Sequence, residues 1–536
     1  MCSQPELRYT WMRYLPRNDN LPLDPFWRQL VPSIRNALLA PKLFYARNDP
    51  SATAFSISQL RRLRPSQIDK DGNPLLPDLS DSRMYISDKY EASDLDILVE
   101  YSLKPLEGKD LVPRLKAYSS TDEWRSRMRA IFDRDEDWHS RIARLLLRLW
   151  EESQNLKDQM KWMPLLPLLI SMETPASAAT GGVCFPDIDG VSIPSDLGLN
   201  LISSMAASNK ECRKLYEKLG VRNAIISAVN KNIVEKHRKG VGLHAYSSDK
   251  HLRFLYLTDK KDPILAADIK DILVFDHKDR PRKPRTEFIY FRGEGDDAIT
   301  TVLGYSPEAK PIGPGAEELD VSFLHHTYLV VPPQKPEGYT HDFQEWLYEH
   351  VWVDNVLQIF TGRDPKPADP KILTKEWKYV AQYRPDVVVN RACLHWQKEK
   401  AIEAWKGDAE GSELIRDLGM LCTDGKLHPL RETFVPLPSL IERCAYFLKD
   451  VEKIPFLKYP QAPGETDSGK MTAPGKYFGF GTADDLTLSL AILRSIIDGV
   501  SETTRSVTES VLDLYLRIHA QCLASDNKEE SEALVR

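Results

Sequence analysis

The segment from Gly464 to Met471 matches the spacing of a phosphate-binding P-loop up to its last position. In a P-loop, backbone amides and the start of a following helix converge on phosphate, and a Ser or Thr hydroxyl binds magnesium. Met471 stands where that hydroxyl is needed, and Pro474 follows where the motif requires a helix. Glu465 and Asp467 would add negative charge beside the phosphates. We interpret the segment as a solvent-exposed loop, and the sequence assigns no nucleotide or other cofactor.

Histidine and cysteine offer metal ligands only in incomplete sets. Cys393 and His395 form one pair, but no second pair follows at the spacing of a zinc site. His341, Glu345 and Glu349 could share one face of a helix, yet such a face is more often polar and exposed than metal-binding. The sequence therefore assigns no metal ligand.

Two adjacent histidines, His325 and His326, fall in a predicted strand. Successive side chains of a strand point to opposite faces, so we expect the two imidazoles to be unable to act as a pair. There is no Gly-x-Ser-x-Gly nucleophile motif, and no catalytic residue is assigned.

One short segment is strongly basic. Between residues 277 and 286 only Asp279 opposes five cations, and Pro281 and Pro284 favour an extended chain. The segment could bind phosphates or an acidic partner, or act in nuclear import, and the alternative is a solvated hairpin loop whose charge prevents edge pairing. The candidate partner-binding residues are Lys278, Arg280, Arg282, Lys283 and Arg285.

Composition excludes several classes of protein. The 536 residues carry a net charge of -6, which lacks the positive bias of a dedicated nucleic-acid binder, and nucleic acid is therefore a disfavoured partner. With 42% hydrophobic and 28% charged residues, the chain is that of a globular protein. Its 26 Gly against 37 Pro invert the usual order, so few phosphate-binding loops are expected.

Cysteine usage and hydropathy favour an intracellular location. Seven scattered cysteines fit a reducing compartment better than a disulfide framework. The longest apolar stretch, from Trp162 to Met172, contains two prolines and is too short to span a bilayer, so no membrane partner is expected. We predict a cytoplasmic protein, with the nucleus as the alternative.

Helical periodicity is clearest in two parts of the chain. Apolar residues recur at helical spacing from Trp124, which predicts one amphipathic helix or two joined near residues 133–137. The opposite face carries Arg141, Arg144 and Arg148, interpreted as solvated. Near the C-terminus Asp484 is predicted to cap a helix, and a second helix follows it.

Between these parts the pattern predicts strands of a small central sheet. The predicted strands are Phe254–Leu257, Ile272–Phe275, Phe288–Phe291 and Thr327–Val331. Residues 65–82 are interpreted as a polar connector, and no repeat of 20 to 50 residues stands out. The predicted class is α+β, helix-rich and multi-domain. The predicted parts are a mixed α/β unit at 1–105, a mainly helical unit at 106–240, a strand-rich α+β unit at 241–345, a helical unit at 346–524 and a polar tail at 525–536.

A series of short apolar and proline-based motifs extends over most of the chain. They include Trp11-Met-Arg-Tyr14-Leu-Pro16, Asp24-Pro-Phe-Trp27, Tyr85-Ile-Ser87, Leu165-Leu-Pro167, Val183-Cys-Phe-Pro186, Leu219-Gly-Val221, Phe254-Leu-Tyr256, Glu432-Thr-Phe-Val-Pro-Leu-Pro438, Pro455-Phe-Leu457 and Phe478-Gly-Phe-Gly481. In this order they resemble the region downstream of the ATPase-like module in the sacsin and NO VEIN-like proteins, particularly their large fungal members. The resemblance implies that Phe254-Leu-Tyr256 belongs to an aromatic helix.

The chain departs from that family in one respect. Family members carry upstream a GHKL-type nucleotide-binding domain with an Asp-x-Gly-x-Gly loop, whereas the nearest string here, Asp467-Ser-Gly469-Lys-Met471, lacks the second glycine. The resemblance therefore implies the non-ATPase part standing alone, as in a shortened gene product, and no catalytic residue is carried over.

These observations favour a non-enzymatic, chaperone-like scaffold that binds other proteins. One alternative is an accessory enzyme of fungal specialised metabolism, whose site would be assembled from distant residues such as His341, Glu345 and a cysteine. A second alternative is a regulatory factor that binds an acidic partner or nucleic acid through the basic segment at 277–286.

Overall fold

The computed structural model describes most of the chain. The described residues are 8–17, 24–49, 53–78, 84–129, 132–152, 154–168, 176–177, 179, 181–293, 295, 298–331, 342–362, 371–396, 408–460, 463–464, 468–499 and 505–524. They divide into two compact units, Met1–Ile233 (unit 1) and Val234–Arg536 (unit 2). The finer division that the sequence predicts stays a prediction, and its polar tail at 525–536 lies outside the described residues.

Unit 1 combines helices with strands of two or three residues. Its helices are α1 (Pro25–Leu38), α2 (Ala92–Glu100), α3 (Gly108–Ser119), α4 (Asp122–Arg129), α5 (Phe132–Glu152), α6 (Gln154–Trp162), α7 (Ser204–Ser208), α8 (Lys210–Leu219) and the start of α9 (Ile226–Lys239). Its strands are β1 (Phe44–Tyr45), β2 (Ala54–Phe55), β3 (Arg61–Arg62), β4 (Lys104–Pro105), β5 (Pro164–Leu166), β6 (Ala176–Ser177), β7 (Val183–Cys184), β8 (Asp187–Ile188), β9 (Val191–Ser192) and β10 (Asn200–Leu201).

Unit 2 has a larger share of helix. Its helices are α10 (Ala245–Thr258), α11 (Ala266–Ile269), α12 (Ile299–Val302), α13 (Ala316–Leu319), α14 (Phe343–Trp346), α15 (Lys375–Tyr383), α16 (Pro385–Trp396), α17 (Ala409–Arg416), α18 (Pro438–Phe447), α19 (Ser468–Phe478), α20 (Leu486–Gly499) and α21 (Arg505–Ala524). Its strands are β11 (Val274–Phe275), β12 (Pro281–Arg282), β13 (Gly419–Leu421) and β14 (Leu427–Pro429). The predicted helix-rich α+β class is confirmed.

Among the described residues, one arrangement of five short strand segments, a to e in chain order, occurs four times, twice in each unit. Segments a and b form an antiparallel hairpin, d pairs antiparallel with a and parallel with c, and e pairs parallel with c, which gives the order b-a-d-c-e. The segments are β1, β2, β3, Tyr85–Ile86 and β4 in copy 1; β5, β6, β7, β10 and Arg222 in copy 2; β11, β12, Tyr290, Phe323–Leu324 and Asp354 in copy 3; and β13, β14, Phe434, Phe456–Leu457 and Gly481 in copy 4.

Segment d makes the same two backbone hydrogen bonds in every copy. In copy 1 the Ile86 amide donates to the Arg61 carbonyl in segment c at 3.1 Å, and the Ser87 amide donates to the Tyr45 carbonyl in segment a at 3.0 Å. The same donor and acceptor pairs are Ile202–Cys184 and Ser203–Pro167 in copy 2, Leu324–Tyr290 and His325–Phe275 in copy 3, and Leu457–Phe434 and Lys458–Leu421 in copy 4. Segment d therefore joins the hairpin to the parallel strands.

A helical crossover connects d to e in each copy. It is formed by α2, by α7 with α8, by α14 with the π-helical turn Leu347–Val351, and by α19. The residue two positions before the paired residue of segment e always has a positive φ, which turns the chain from the helix into the strand. These residues are Ser102 (φ 83°), Gly220 (φ 100°), Trp352 (φ 70°) and Gly479 (φ 91°).

The crossover helices pack on the strands and help to close the cores. Leu98 and Tyr101 at the end of α2 are fully buried with Phe44 of segment a in copy 1. In unit 2 both copies share one core, which includes Tyr290 of copy 3 and Phe434 of copy 4. Strands of two or three residues are marginal alone, so the burial of these side chains is what stabilises them.

Two of the four strands predicted between residues 254 and 331 are wrong. Phe254–Leu257 lies inside α10, as the family resemblance implies, and Thr327–Val331 falls mainly in a 3-10 helix, His326–Leu329. Aromatic and β-branched residues favour strands, but here they fill the buried side of helices. The predicted strand at Ile272–Phe275 is confirmed for Val274–Phe275, and Phe288–Phe291 contributes only the bridges of Tyr290.

Other local predictions have mixed outcomes. The helical pattern from Trp124 does belong to two helices, α4 and α5. The segment at 65–82, predicted to be a polar connector, contributes to the core of unit 1, because Leu75 and Leu76 are buried there. Asp485, not Asp484, caps α20, since its carboxylate accepts hydrogen bonds from the Thr487 and Leu488 amides at 3.0 and 3.2 Å.

The residue of positive φ before segment e is Ser102 in copy 1 and Gly220 in copy 2, so the two can be substituted in opposite directions. We expect Gly220→Ala to lower the free energy of unfolding by about 1 kcal/mol, because the added Cβ meets no atom within 4 Å and the penalty is that of the left-handed backbone. We expect Ser102→Gly to raise it by about 0.5 kcal/mol, since relief of backbone strain exceeds the entropy lost by glycine. Urea unfolding of the full chain measures both, and changes of the same sign would contradict the shared role.

Candidate functional site

The basic segment forms the turn and return strand of the hairpin in copy 3, where β11 pairs with β12. Its cations meet two acids that flank the segment, Asp276 and Glu287, and one that is distant in sequence, Asp320. Lys278 Nζ lies 2.7 Å from Asp320, and Arg280 lies 2.8 Å from Asp276 and 3.0 Å from Asp320. Arg282 lies 3.2 Å from Asp276 and 2.8 Å from a second acid, Glu287. Three of the five candidate cations are thus paired within the protein.

Asp276 is the centre of this hairpin and is fully buried. Its carboxylate accepts hydrogen bonds from the Lys278 and Arg280 amides at 2.9 and 3.0 Å, and from the side chains of Arg280 and Arg282. Burial acts to raise the pKa of Asp276, but these hydrogen bonds outweigh it and hold the pKa below its usual value. The carboxylate therefore stabilises the fold at neutral pH, and this stabilisation is lost as the pH falls through the acidic range.

The two remaining candidates differ from each other. Lys283 is exposed. Arg285 places its guanidinium carbon 3.3 Å from the centre of the Trp352 ring, which ties the hairpin to the crossover of the same copy. Most of the basic segment thus holds copy 3 together, and its role in partner binding stays a prediction.

His325 and His326 lie side by side, so the expectation that they point to opposite faces is wrong. Their ring centroids are 4.1 Å apart, because the chain enters a 3-10 helix at this point instead of continuing as a strand. Tyr246, which is exposed, lies edge-on to both rings with centroids 6.1 and 6.5 Å away. The other copies place Ser87, Ser203 and Lys458 at the position of His325, so the imidazole pair is particular to copy 3.

His325 also lies between a hydroxyl and a carboxylate. Its Nδ1 is 3.0 Å from Thr327 Oγ1, and its Nε2 is 3.4 Å from Asp279 Oδ1. Thr327 is buried, however, and its amide donates to the same Nδ1 at 3.3 Å. Burial, together with the neighbouring His326, lowers the pKa of His325. A neutral imidazole that caps a 3-10 helix accounts for this geometry.

The incomplete metal sets noted in the sequence fall only partly within the described residues. His341 and the side chain of His395 lie outside the described residues. Glu345 forms a capping box at the start of α14, where its carboxylate accepts from the Asp342 amide at 2.9 Å. Cys393 is buried, which raises the pKa of its thiol to about 11. Within the described ranges, no three His, Cys, Asp or Glu side chains are placed to hold a metal ion.

The last four residues of the P-loop-like segment are helical, whereas the whole segment was predicted to be a loop. Gly469 and Lys470 lie in the first turn of α19, which continues through Pro474, whereas residues 465–467 lie outside the described residues. Met471, at the position of the magnesium-binding hydroxyl, is buried in the core of unit 2. The position that would bind the metal is therefore apolar and closed.

A cleft in unit 1 lies at the ends of the parallel strands β3 and β4. It encloses about 380 Å³ and is lined by Arg64, Ser66, Gln67, Leu106, Glu107, Gly108, Lys109, Leu111, Leu145, Arg148, Leu149 and Glu152. The buried side chain of Gln67 fixes its base. The amide nitrogen of Gln67 donates to the Leu106 carbonyl at 3.1 Å, and its oxygen accepts from the Arg64 amide at 2.8 Å. In the sequence, the one feature that belongs to this cleft is the arginine stripe that includes Arg148.

A second surface lies on the C-terminal helix α21. Leu514 and Ile518 on its inner side belong to the core of unit 2. Arg517 and Arg443 both pair with Asp484, at the start of the segment that leads into α20. The outer side of α21 and the end of α20 expose apolar side chains, namely Leu512, Tyr515, Leu516, Leu523 and Ile497.

Comparison with known proteins adds no further constraint. No family model, curated protein or solved structure matches this chain. Among the helices of the described residues, none is long and apolar enough to cross a membrane. The geometry described above is therefore the basis for a functional assignment.

The contribution of Asp276 to stability can be compared with that of Asp320, a second carboxylate that pairs with Arg280. We expect Asp276→Asn to lower the stability of unit 2 by about 3 kcal/mol, because Arg280 and Arg282 lose their buried counter-charge. The matched control Asp320→Asn should lower it by less than about 1 kcal/mol, since Asp320 is about half exposed. Thermal unfolding measures both, and equal effects would contradict the central role of Asp276.

Proposed function

We propose that this protein is a non-enzymatic scaffold that binds other proteins, with the chaperone-like role that the resemblance to the sacsin and NO VEIN-like proteins implies. The observation that carries the proposal is the exposed apolar side of α21. Four large apolar side chains there are each more than half exposed, at 60% for Leu512 and 64% for Leu516. Single exposed apolar residues are common on soluble proteins, but a contiguous group is typical of an interaction site.

The spacing of these residues favours a helical partner. The exposed apolar residues of α21 follow the three- and four-residue spacing of one helix face, namely Leu512, Tyr515, Leu516 and Leu523. A helix with an apolar side can lie along such a surface and bury it. The inner side of α21 is already packed in the core of unit 2, so the outer side remains for a partner.

The charged residues around the apolar group indicate which charge the edges of the partner helix should carry. Asp513 and Glu509 lie on the same helix, α21, and are exposed next to this face. Acidic borders favour basic flanks on the bound helix and disfavour acidic ones. The proposed occupant is therefore an amphipathic helix of another protein, apolar on one side and basic at its edges.

A synthetic peptide provides the test. The probe is a fluorescently labelled 20-residue amphipathic helix with leucines on one side and lysines at its edges, and anisotropy measures its binding to the full chain. We expect Leu512→Glu and Leu516→Glu each to weaken binding about tenfold, because each removes a buried leucine from the complex. Both residues are exposed, so the melting temperature should stay unchanged.

Two controls separate this outcome from nonspecific binding. Leu427→Glu alters an equally exposed leucine on β14 and should leave affinity unchanged. A peptide of the same composition in scrambled order should bind at least about tenfold more weakly. Equal binding by the scrambled peptide would contradict the proposal. Self-association of the chain that Leu516→Glu abolishes would instead assign the surface to a second copy.

A further inference from the structure

We infer that the cleft of unit 1 binds a small organic acid, with its oxyanion beside Arg64 and Arg148 and its organic part in the rest of the cleft. The inference does not depend on the proposed function, which concerns a surface of unit 2. Its basis is the position, size, charge and lining of the cleft.

The position follows from the topology of copy 1. Strands β3 and β4 run parallel, so their carboxyl ends meet at one edge. The chain continues from β3 into Arg64 and from β4 into Leu106, and both residues line the cleft. In sheets with parallel strands and helical crossovers, ligands bind outside the carboxyl ends of the strands. About 380 Å³ of space lies within the range of small-molecule sites.

Charge in the cleft is unbalanced. Lys109 is paired with Glu107 at 2.8 Å, which leaves the two guanidinium groups of Arg64 and Arg148 against the single carboxylate of Glu152. Over the described part of unit 1, neither arginine has an acidic side chain within 4.0 Å. Two guanidinium groups that share one cleft without carboxylate partners favour an oxyanion as ligand, since such pairs form charge-assisted, often bidentate hydrogen bonds.

The size of the cleft selects among oxyanions. Its floor is formed by Leu106, Leu111, Leu145 and Leu149, which are nearly fully buried and so leave little apolar surface for a ligand to cover. A space of about 380 Å³ is larger than an inorganic ion fills, so an acid with an organic part would make more van der Waals contacts there than inorganic phosphate would. The ligand class is therefore a carboxylate or phosphate monoester with a short organic part.

Glu152 also lines the cleft, one helical turn beyond Arg148 on α5. Its carboxylate lies against Gly108 so closely that a Cβ added to this glycine would overlap the carboxylate oxygen. A fixed negative charge in the cleft repels a bound oxyanion and reduces its affinity. Removal of this charge should therefore strengthen binding.

Ligand titration tests the inference with phenyl phosphate, benzoate and inorganic phosphate as probes. Binding to the full chain is followed by isothermal titration calorimetry. We expect phenyl phosphate or benzoate to bind, inorganic phosphate to bind at least about tenfold more weakly, and Arg64→Gln and Arg148→Gln each to weaken binding about tenfold. Glu152→Gln should strengthen binding about threefold. The two organic probes distinguish a phosphate ester from a carboxylate as the preferred oxyanion.

Arg144→Gln is the matched control, because Arg144 is exposed on the same helix but does not line the cleft. Its affinity and melting temperature should equal those of the unmodified chain. The inference is overturned if no organic probe binds up to about 10 mM, if Arg144→Gln weakens binding as much as Arg148→Gln, or if inorganic phosphate binds as tightly as phenyl phosphate.

Discussion

Each copy of the repeated arrangement depends on segment d, whose two amides hold both neighbouring strands. One amide bonds to segment c and the next to segment a, in all four copies. A hairpin of two-residue strands is marginal in water, and the parallel strands c and e can be joined only through a helical crossover. Segment d connects these two parts, so the packing of each crossover helix also supports the hairpin.

The sequence predicts the fold class and the long helices better than it predicts the short strands and their pairing. Long periodic helices such as α5 are evident because their apolar stripe repeats over several turns. The repeated arrangement is hidden because its strands are too short for a two-residue period, and its copies are separated and interrupted by segments of different length. A glycine marks the end of the crossover in copies 2 and 4, at Gly220 and Gly479. In copies 1 and 3 the same backbone conformation is taken by Ser102 and Trp352, so no glycine marks it.

The candidate sites were less accessible to sequence reasoning than the fold. The acids that neutralise the basic segment include Asp320, which is distant in sequence, and no local pattern links it to Lys278 or Arg280. The cleft of unit 1 combines strand ends of copy 1 with α5, so it exists only after the chain has folded. The surface of α21 could have been found, since apolar residues on both sides of a helix indicate two packing partners.

The stacking of Arg285 on Trp352 limits how a receptor could recognise the basic segment. A receptor that recognises a basic import or docking signal binds it as an extended peptide, with each cation in its own subsite. Here one cation is held against an indole ring and three others belong to the Asp276 hairpin. Presentation of the segment as a linear epitope would therefore require local unfolding of copy 3, so that its recognition would report on the folded state of unit 2.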